Sequence, residues 1–280
     1  MRGTLLLCAV LLLAIVVPSS LPAAEQETNF RHRISADDEV NTADISEESR
    51  FGREVAARII GRYGMYDNPM IMKYVNLVGK TLALHTNRPE IEFRVAVLNT
   101  DELNAYAAPG GYIFITRGAL AKMQNEAELA GVIAHEIGHV VEKHVVKELN
   151  IKGTEKSAAT GLAMLIGGTS EPARLAFSQA LDTAIDMLFK NGYKREDETQ
   201  ADKDAVIFCA LSGYDPTGLS KYLDRIKEIK GKNTEILDKT HPPIETRTAW
   251  ITETIANEGI DLGVLKDHKD RFTNVMKSLK

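Results

Sequence analysis

From Glu126 to about Leu149 the chain sets apolar residues around nearly a whole helical circumference: Leu129, Ala130, Val132, Ile133, Ala134, Ile137, Val140 and Val141. A helix with no polar face has to be buried on every side, so the rest of the chain must wrap it. Asn125 with Glu128 three residues on supplies a capping-box start. Inside this most apolar segment stand His135, Glu136 and His139. Two imidazoles and a carboxylate are expensive to bury without partners, and a metal ion supplies them. Residues four apart project from one helix face about 40° apart, which lets two imidazoles converge on a tetrahedral zinc with Glu136 in reach of a metal-bound water.

A catalytic zinc takes a third protein ligand and keeps one position open. The candidate third ligand is Glu198, in the acidic run Arg195 to Asp202, 59 residues beyond His139. Asp202 lies one turn further along the same face, where it can accept a hydrogen bond from the outer nitrogen of a ligand histidine and fix its tautomer.

The remaining chain organises around this helix. At 280 residues it makes one large domain or two small ones, and with 44% hydrophobic and 26% charged residues its composition is that of an ordinary globular protein. A net charge of −5 gives no basic footprint for nucleic acid. Residues 1–24 carry Arg2, an apolar run Leu5 to Val17 and Leu21-Pro22-Ala23-Ala24, which reads as a signal peptide cleaved near Ala24. Cleavage would remove Cys8 and leave Cys209 as the lone cysteine. Residues 25–44 read as a polar N-terminal arm. Two helices are expected between Ile45 and Leu84, separated by a Tyr63 to Pro69 turn. A strand is expected at Ile91 to Leu98 and a hairpin at Ala105 to Thr116, turning on Pro109-Gly110-Gly111. The stretch 150–192 reads as a flap or lid. Its piece Ser157 to Thr169 is also suited to resting on a lipid surface, and Leu175 to Phe189 is amphipathic. Helices follow at Arg195 to Leu211, Thr217 to Lys230 and Ile244 to Asn257. The fold class is α+β, mostly helical with a small sheet. His144, five residues past His139, falls about 140° round a continuous helix and reads as structural.

The run Leu103-Asn104-Ala105-Tyr106-Ala107-Ala108-Pro109-Gly110-Gly111-Tyr112-Ile113 precedes Glu128-Leu129-Ala130 and His135-Glu136-Ile137-Gly138-His139. Glu198 to Asp202 and His241-Pro242-Pro243 follow in order. Over Ile45 to Asn257 this resembles family forty-eight of the metallopeptidases, the gluzincins of the HtpX and CAAX prenyl protease kind. Within it, the export signal is similar to that of the periplasmic BepA-like and LoiP-like members. The resemblance implies a zincin-like metalloprotease domain over 45–280, one zinc per chain, His135, His139 and Glu198 as ligands, and Glu136 as general base. It places His241 and Arg247 beside the metal, where His241 either caps the zinc or, like Arg247, donates to the oxyanion. Asn104, Ala105, Tyr106 and Ala107, as a sheet edge, would hold an extended substrate through main-chain hydrogen bonds. The expected function is a periplasmic zinc endopeptidase acting on unfolded or misfolded envelope proteins in quality control. A chaperone of the same fold that binds clients without cutting is the alternative, and an intramembrane prenyl-protein protease lacks the spans it would need.

Overall fold

The computed structural model describes residues 42–151, 171–229 and 234–279. The expected signal peptide at 1–24, most of the expected arm at 25–44 and the Ser157 to Thr169 piece lie outside the described residues. The last three residues assigned to the arm are helical: α1 runs Thr42–Tyr63 and buries Phe51, Val55 and Ile59, one helical turn apart. Helix α2, Pro69–Ala83, starts where Asn68 Oδ1 accepts from the Ile71 amide at 3.2 Å and Pro69 presets the first turn.

Three short strands follow: β1 (Arg94–Leu98), β2 (Ala105–Ala108) and β3 (Tyr112–Thr116). Strands β2 and β3 form the hairpin, with Tyr106 opposite Phe114 and a 3-10 turn at Pro109–Gly111 between them. Strand β1 pairs parallel with β3, Val95 opposite Ile113, so the order is β1-β3-β2 and β2 is an edge. Short helix α3 (Arg117–Lys122) leads into α4 (Glu126–Val141), in which every residue is buried. Its start is capped twice. Asn125 Oδ1 accepts from the Glu128 amide at 2.9 Å, and the Asp267 carbonyl accepts from the amides of Glu126 and Ala127 at 2.9 and 3.1 Å.

Helix α4 stops at Val141 and does not run on to Leu149. Lys143 adopts a left-handed backbone (φ 57°), and a separate helix α5, His144–Glu148, leaves in a new direction with His144 and Val145 buried. The contacts those two side chains gain override a sequence that locally favours one helix. Helix α6 begins at Glu171 and ends at Asp186 in a π-helical turn, Met187–Asn191. Then come α7 (Arg195–Leu211), α8 (Gly218–Ile226), α9 (Glu235–Thr240), α10 (Ile244–Asn257) and α11 (Lys269–Met276). Helix α8 is shorter than Thr217 to Lys230, and α3, α9 and α11 had no distinct signal in the sequence. Among the described residues no helix is long and apolar enough to cross a membrane.

Candidate metal centre

The candidate site lies where α4 crosses α7, the most extensive helix contact among the described residues. Gly138 makes this approach feasible: a Cβ there would lie 3.1 Å from the Ala201 Cα and 3.3 Å from the Asp204 Cβ. Residues four apart on each helix therefore face one another, His135 and His139 from α4, Glu198 and Asp202 from α7. The Nε2 atoms of His135 and His139 are 3.1 Å apart. Glu198 Oε2 lies 3.7 Å from His135 Nε2, and Oε1 lies 3.6 Å from His139 Nε2. Both Glu198 oxygens are buried and neither has a hydrogen-bond partner among the described residues. A carboxylate left this way costs several kcal/mol unless something else engages it. Donor atoms of His135, His139 and Glu198 all fall within 4.8 Å of one another, and those of His135, Glu136 and His241 form a second such group. Two imidazole nitrogens and one carboxylate make the donor set that zinc takes, so the residues fit the metal.

Behind His135, Asp202 Oδ1 lies 2.9 Å from Nδ1. Arg247, from α10, donates to both Asp202 oxygens, Nη2 to Oδ1 at 2.7 Å and Nε to Oδ2 at 3.1 Å. Arg247 Nη2 also lies 3.2 Å from His135 Nδ1, but that nitrogen must carry the ring proton if Nε2 is to be bare. The contact that counts is therefore Nδ1–H to Asp202, with Arg247 holding the carboxylate. Burial alone would raise Asp202, yet Arg247 and His135 hold it down at about 2. Burial, aided by the Arg247 charge, pushes His135 below the usual histidine value. His139 is pushed well below it by burial and by His135. Both rings are thus neutral, the form that binds a metal. Burial raises Glu198 well above the carboxylate range and Glu136 to about 8.

His241, at the end of α9, has Nε2 4.0 Å from Glu198 Oε1, while its Nδ1 meets Thr240 Oγ1 at 3.0 Å. It stands between a small cavity of about 30 Å³, bordered by Asn104, Ala105, His135, Glu136 and Arg247, and an open cleft of about 270 Å³ along Tyr193, Arg195 and Pro242. Ala105 faces the first cavity. Ala107 borders a separate pocket beside His139. Tyr106 points away, with its hydroxyl 3.1 Å from that of Tyr63. The structure thus brings Glu136, His241, Arg247, Asn104 and Ala105 together around one cavity, while the Tyr106 side chain packs against Tyr63 and Phe189.

The structure moves one residue, His144, from where the sequence places it and adds another, Tyr193, to the site. The break after Val141 turns His144 back, so that its Nδ1 lies 2.8 Å from His139 Nδ1, against the expectation that it points away. Tyr193 stacks on His139, ring centroids 3.9 Å apart and planes 16° from parallel, and its hydroxyl is buried with no partner among the described residues. A left-handed Lys143 has no glycine or asparagine to announce it, and nothing local marks Tyr193.

A His-Glu-x-x-His helix crossed by a second helix that delivers a carboxylate defines the metallohydrolase class, with a mostly helical frame and a small mixed sheet. Residues 71–255 match the model of peptidase family M48, so the chain belongs to that family of zinc metalloendopeptidases. It is 27% identical over 219 residues to the beta-barrel assembly-enhancing protease of Escherichia coli, an alignment covering 75% of this chain and 44% of that protein. To the Escherichia coli metalloprotease YcaL it is 25% identical over 206 residues, covering 74% of this chain and 75% of YcaL. To the mitochondrial metalloendopeptidase OMA1 of Schizosaccharomyces pombe it is 24% identical over 218 residues, 76% of this chain and 62% of that protein. The chain spans less than half the length of the beta-barrel assembly-enhancing protease.

Proposed function

We propose that this M48 metallopeptidase is an exported, periplasmic zinc endopeptidase that hydrolyses extended segments of unfolded or misassembled envelope proteins. His135, His139 and Glu198 hold one zinc, and Glu136 is the general base. The observation that carries the site assignment is Glu198: a buried carboxylate with two unbonded oxygens facing two neutral imidazoles. When bound, the zinc supplies Lewis acidity at the scissile carbonyl and at the attacking water. Glu136, alongside in the same cavity, takes the proton from that water and passes it to the leaving amine. Asp202, held by Arg247, keeps the proton of His135 on Nδ1.

Edge strand β2 has no hydrogen-bonded neighbour on its outer side among the described residues, and Ala105 faces the cavity that contains Glu136. An extended peptide added there would be read through its main chain, which favours unfolded segments over a sequence motif. His241, neutral and 4.0 Å from Glu198, is positioned to fill an open metal position. The envelope role draws on the likeness to the beta-barrel assembly-enhancing protease and on the leader at residues 1–24. The test is Glu136→Gln, assayed for zinc content and for degradation of an unfolded protein. Retained zinc with lost proteolysis is expected. Loss of the metal would put Glu136 among the ligands, and undiminished cutting would remove it from the chemistry.

A further inference from the structure

The outer nitrogens of the two facing histidines have unlike partners. His135 Nδ1 meets a carboxylate directly, Asp202 Oδ1 at 2.9 Å. His139 Nδ1 meets another imidazole, His144 Nδ1 at 2.8 Å, the ring planes 69° apart. Beyond that ring, His144 Nε2 faces Asp197 Oδ1 at 3.5 Å. His144 is buried, and its seat depends on the left-handed backbone of Lys143, a conformation that costs a non-glycine residue about 1–2 kcal/mol. Contacts made by the returning chain have to offset that cost, and the imidazole pair with His139, at 2.8 Å, is shorter than the 3.5 Å approach to Asp197.

The proton positions along this line follow from the geometry. His139 Nε2 points at His135 Nε2 and Glu198 Oε1, so it must be bare for a metal to bind there. A neutral His139 then carries its proton on Nδ1, and the acceptor in line is His144 Nδ1. That atom must itself be bare, so a neutral His144 carries its proton on Nε2, toward Asp197. The opposite tautomer of His139 would aim a hydrogen into the metal position. We propose that His144 and Asp197 are positioning residues that lock His139 as its Nδ1–H tautomer through a His139–His144–Asp197 chain, and so tighten metal binding. The first two turns of α7 then serve both ligand histidines. Glu198 enters the metal position, Asp202 reaches the back of His135, and Asp197 reaches the back of His139 through His144.

This inference rests on reading His135, His139 and Glu198 as zinc ligands, and its test separates the two. Zinc affinity is measured by competition with a chelating dye for wild type, His139→Ala, His144→Ala, His144→Asn, His144→Gln and Asp197→Asn. Nitrogen-15 NMR reads the histidine tautomers of the zinc-free protein. His144→Ala should weaken zinc binding by about 10–100-fold. His144→Asn, whose amide oxygen falls near the lost Nδ1, should recover most of that, whereas His144→Gln should not. Asp197→Asn, at a partly exposed side chain whose replacement leaves the core intact, should show a loss in the same direction. The spectra should show protons on His139 Nδ1 and His144 Nε2. Wild-type affinity in both His144→Ala and Asp197→Asn, or a proton on His139 Nε2 in wild type, overturns the proposal alone. Zinc binding that His139→Ala leaves unchanged overturns the ligand reading and this inference with it.

Discussion

Asp204 sits on α7 against Gly138, with Oδ1 accepting from Gln200 Nε2 at 2.9 Å and Oδ2 buried without a partner among the described residues. Burial, with the Glu142 charge behind it, pushes this carboxyl up to about 8. A folded-state pKa above the unfolded one means that stability is fully present below about pH 4 and is lost as the pH climbs towards 8. Asp204→Asn keeps the bond from Gln200 and cannot ionise, so its melting temperature should exceed that of wild type by a margin that widens from pH 5 to pH 8.5. A constant margin over that range would show that Asp204 does not titrate there. Glu198→Ala belongs to the same scale. With one of three proposed ligands gone, zinc affinity should fall by orders of magnitude, measured by chelator competition, and retention of wild-type affinity would transfer the ligand role to another carboxylate. The His-Glu-x-x-His pair was legible because four-residue spacing on a helix is a local rule, and Glu198 became a candidate only because that pair calls for a third ligand. His144 and Tyr193 were not, since both reach His139 only after the chain has reversed direction.

At the scale of elements, helices whose ends coincide with strong local signals were read closely. Helix α7 ends before Ser212-Gly213, and α10 starts after Pro243. The parallel pairing of β1 with β3 left no trace in the sequence, because a strand carries the same alternation whichever way its partner runs. The end of α4 was misread because Val145 and Val146 continue its apolar pattern. A further constraint lies where the π-helical turn meets α9: Gly192, at φ 72°, is so close to the Thr240 carbonyl that a Cβ would approach its oxygen to 2.1 Å. Thr240 directly precedes His241, so this contact fixes the base of the His241 loop. Gly192→Ala should lower stability by more than about 1 kcal/mol, combining backbone strain with the clash, and should displace His241. A melting curve identical to that of wild type would show that the loop yields freely. His241→Ala leaves the loop base intact and removes only the ring from beside Glu198. Basal proteolysis of an unfolded substrate is expected to rise, with zinc content unchanged. A hundredfold fall in kcat would assign the ring to the transition state instead.

On the scale of the whole molecule, helix α4, which carries His135 and His139, is clamped at its start by the segment after α10. Glu126, at the first turn of α4, is almost fully buried, and its carboxylate accepts from Tyr74 at 2.5 Å, from Tyr214 at 2.8 Å and from Arg271 of α11. The Asp267 carbonyl closes the amides of Glu126 and Ala127, while Phe272 packs beside Tyr74. These partners come from α2, from the loop after α7 and from the segment after α10, and that last segment lies beyond the residues that match the family model. The fold therefore needs residues 258–279 for reasons of helix capping and charge pairing, independent of catalysis. Removing them would leave two α4 amides uncapped and the buried Glu126 without its cation, each a loss of about 1–3 kcal/mol. A chain ending at Asn257 should accordingly unfold at markedly lower denaturant, and its zinc affinity should drop because His135 and His139 ride on the loosened helix. Arg271→Ala is the milder probe. Tyr74 and Tyr214 still serve Glu126 in that variant, so a destabilisation of about 1–2 kcal/mol is expected, read as a lower urea midpoint at unchanged slope. If both variants matched the 280-residue chain in urea midpoint and zinc affinity, α4 would be held by its apolar contacts alone, and the clamp would contribute nothing to the metal centre.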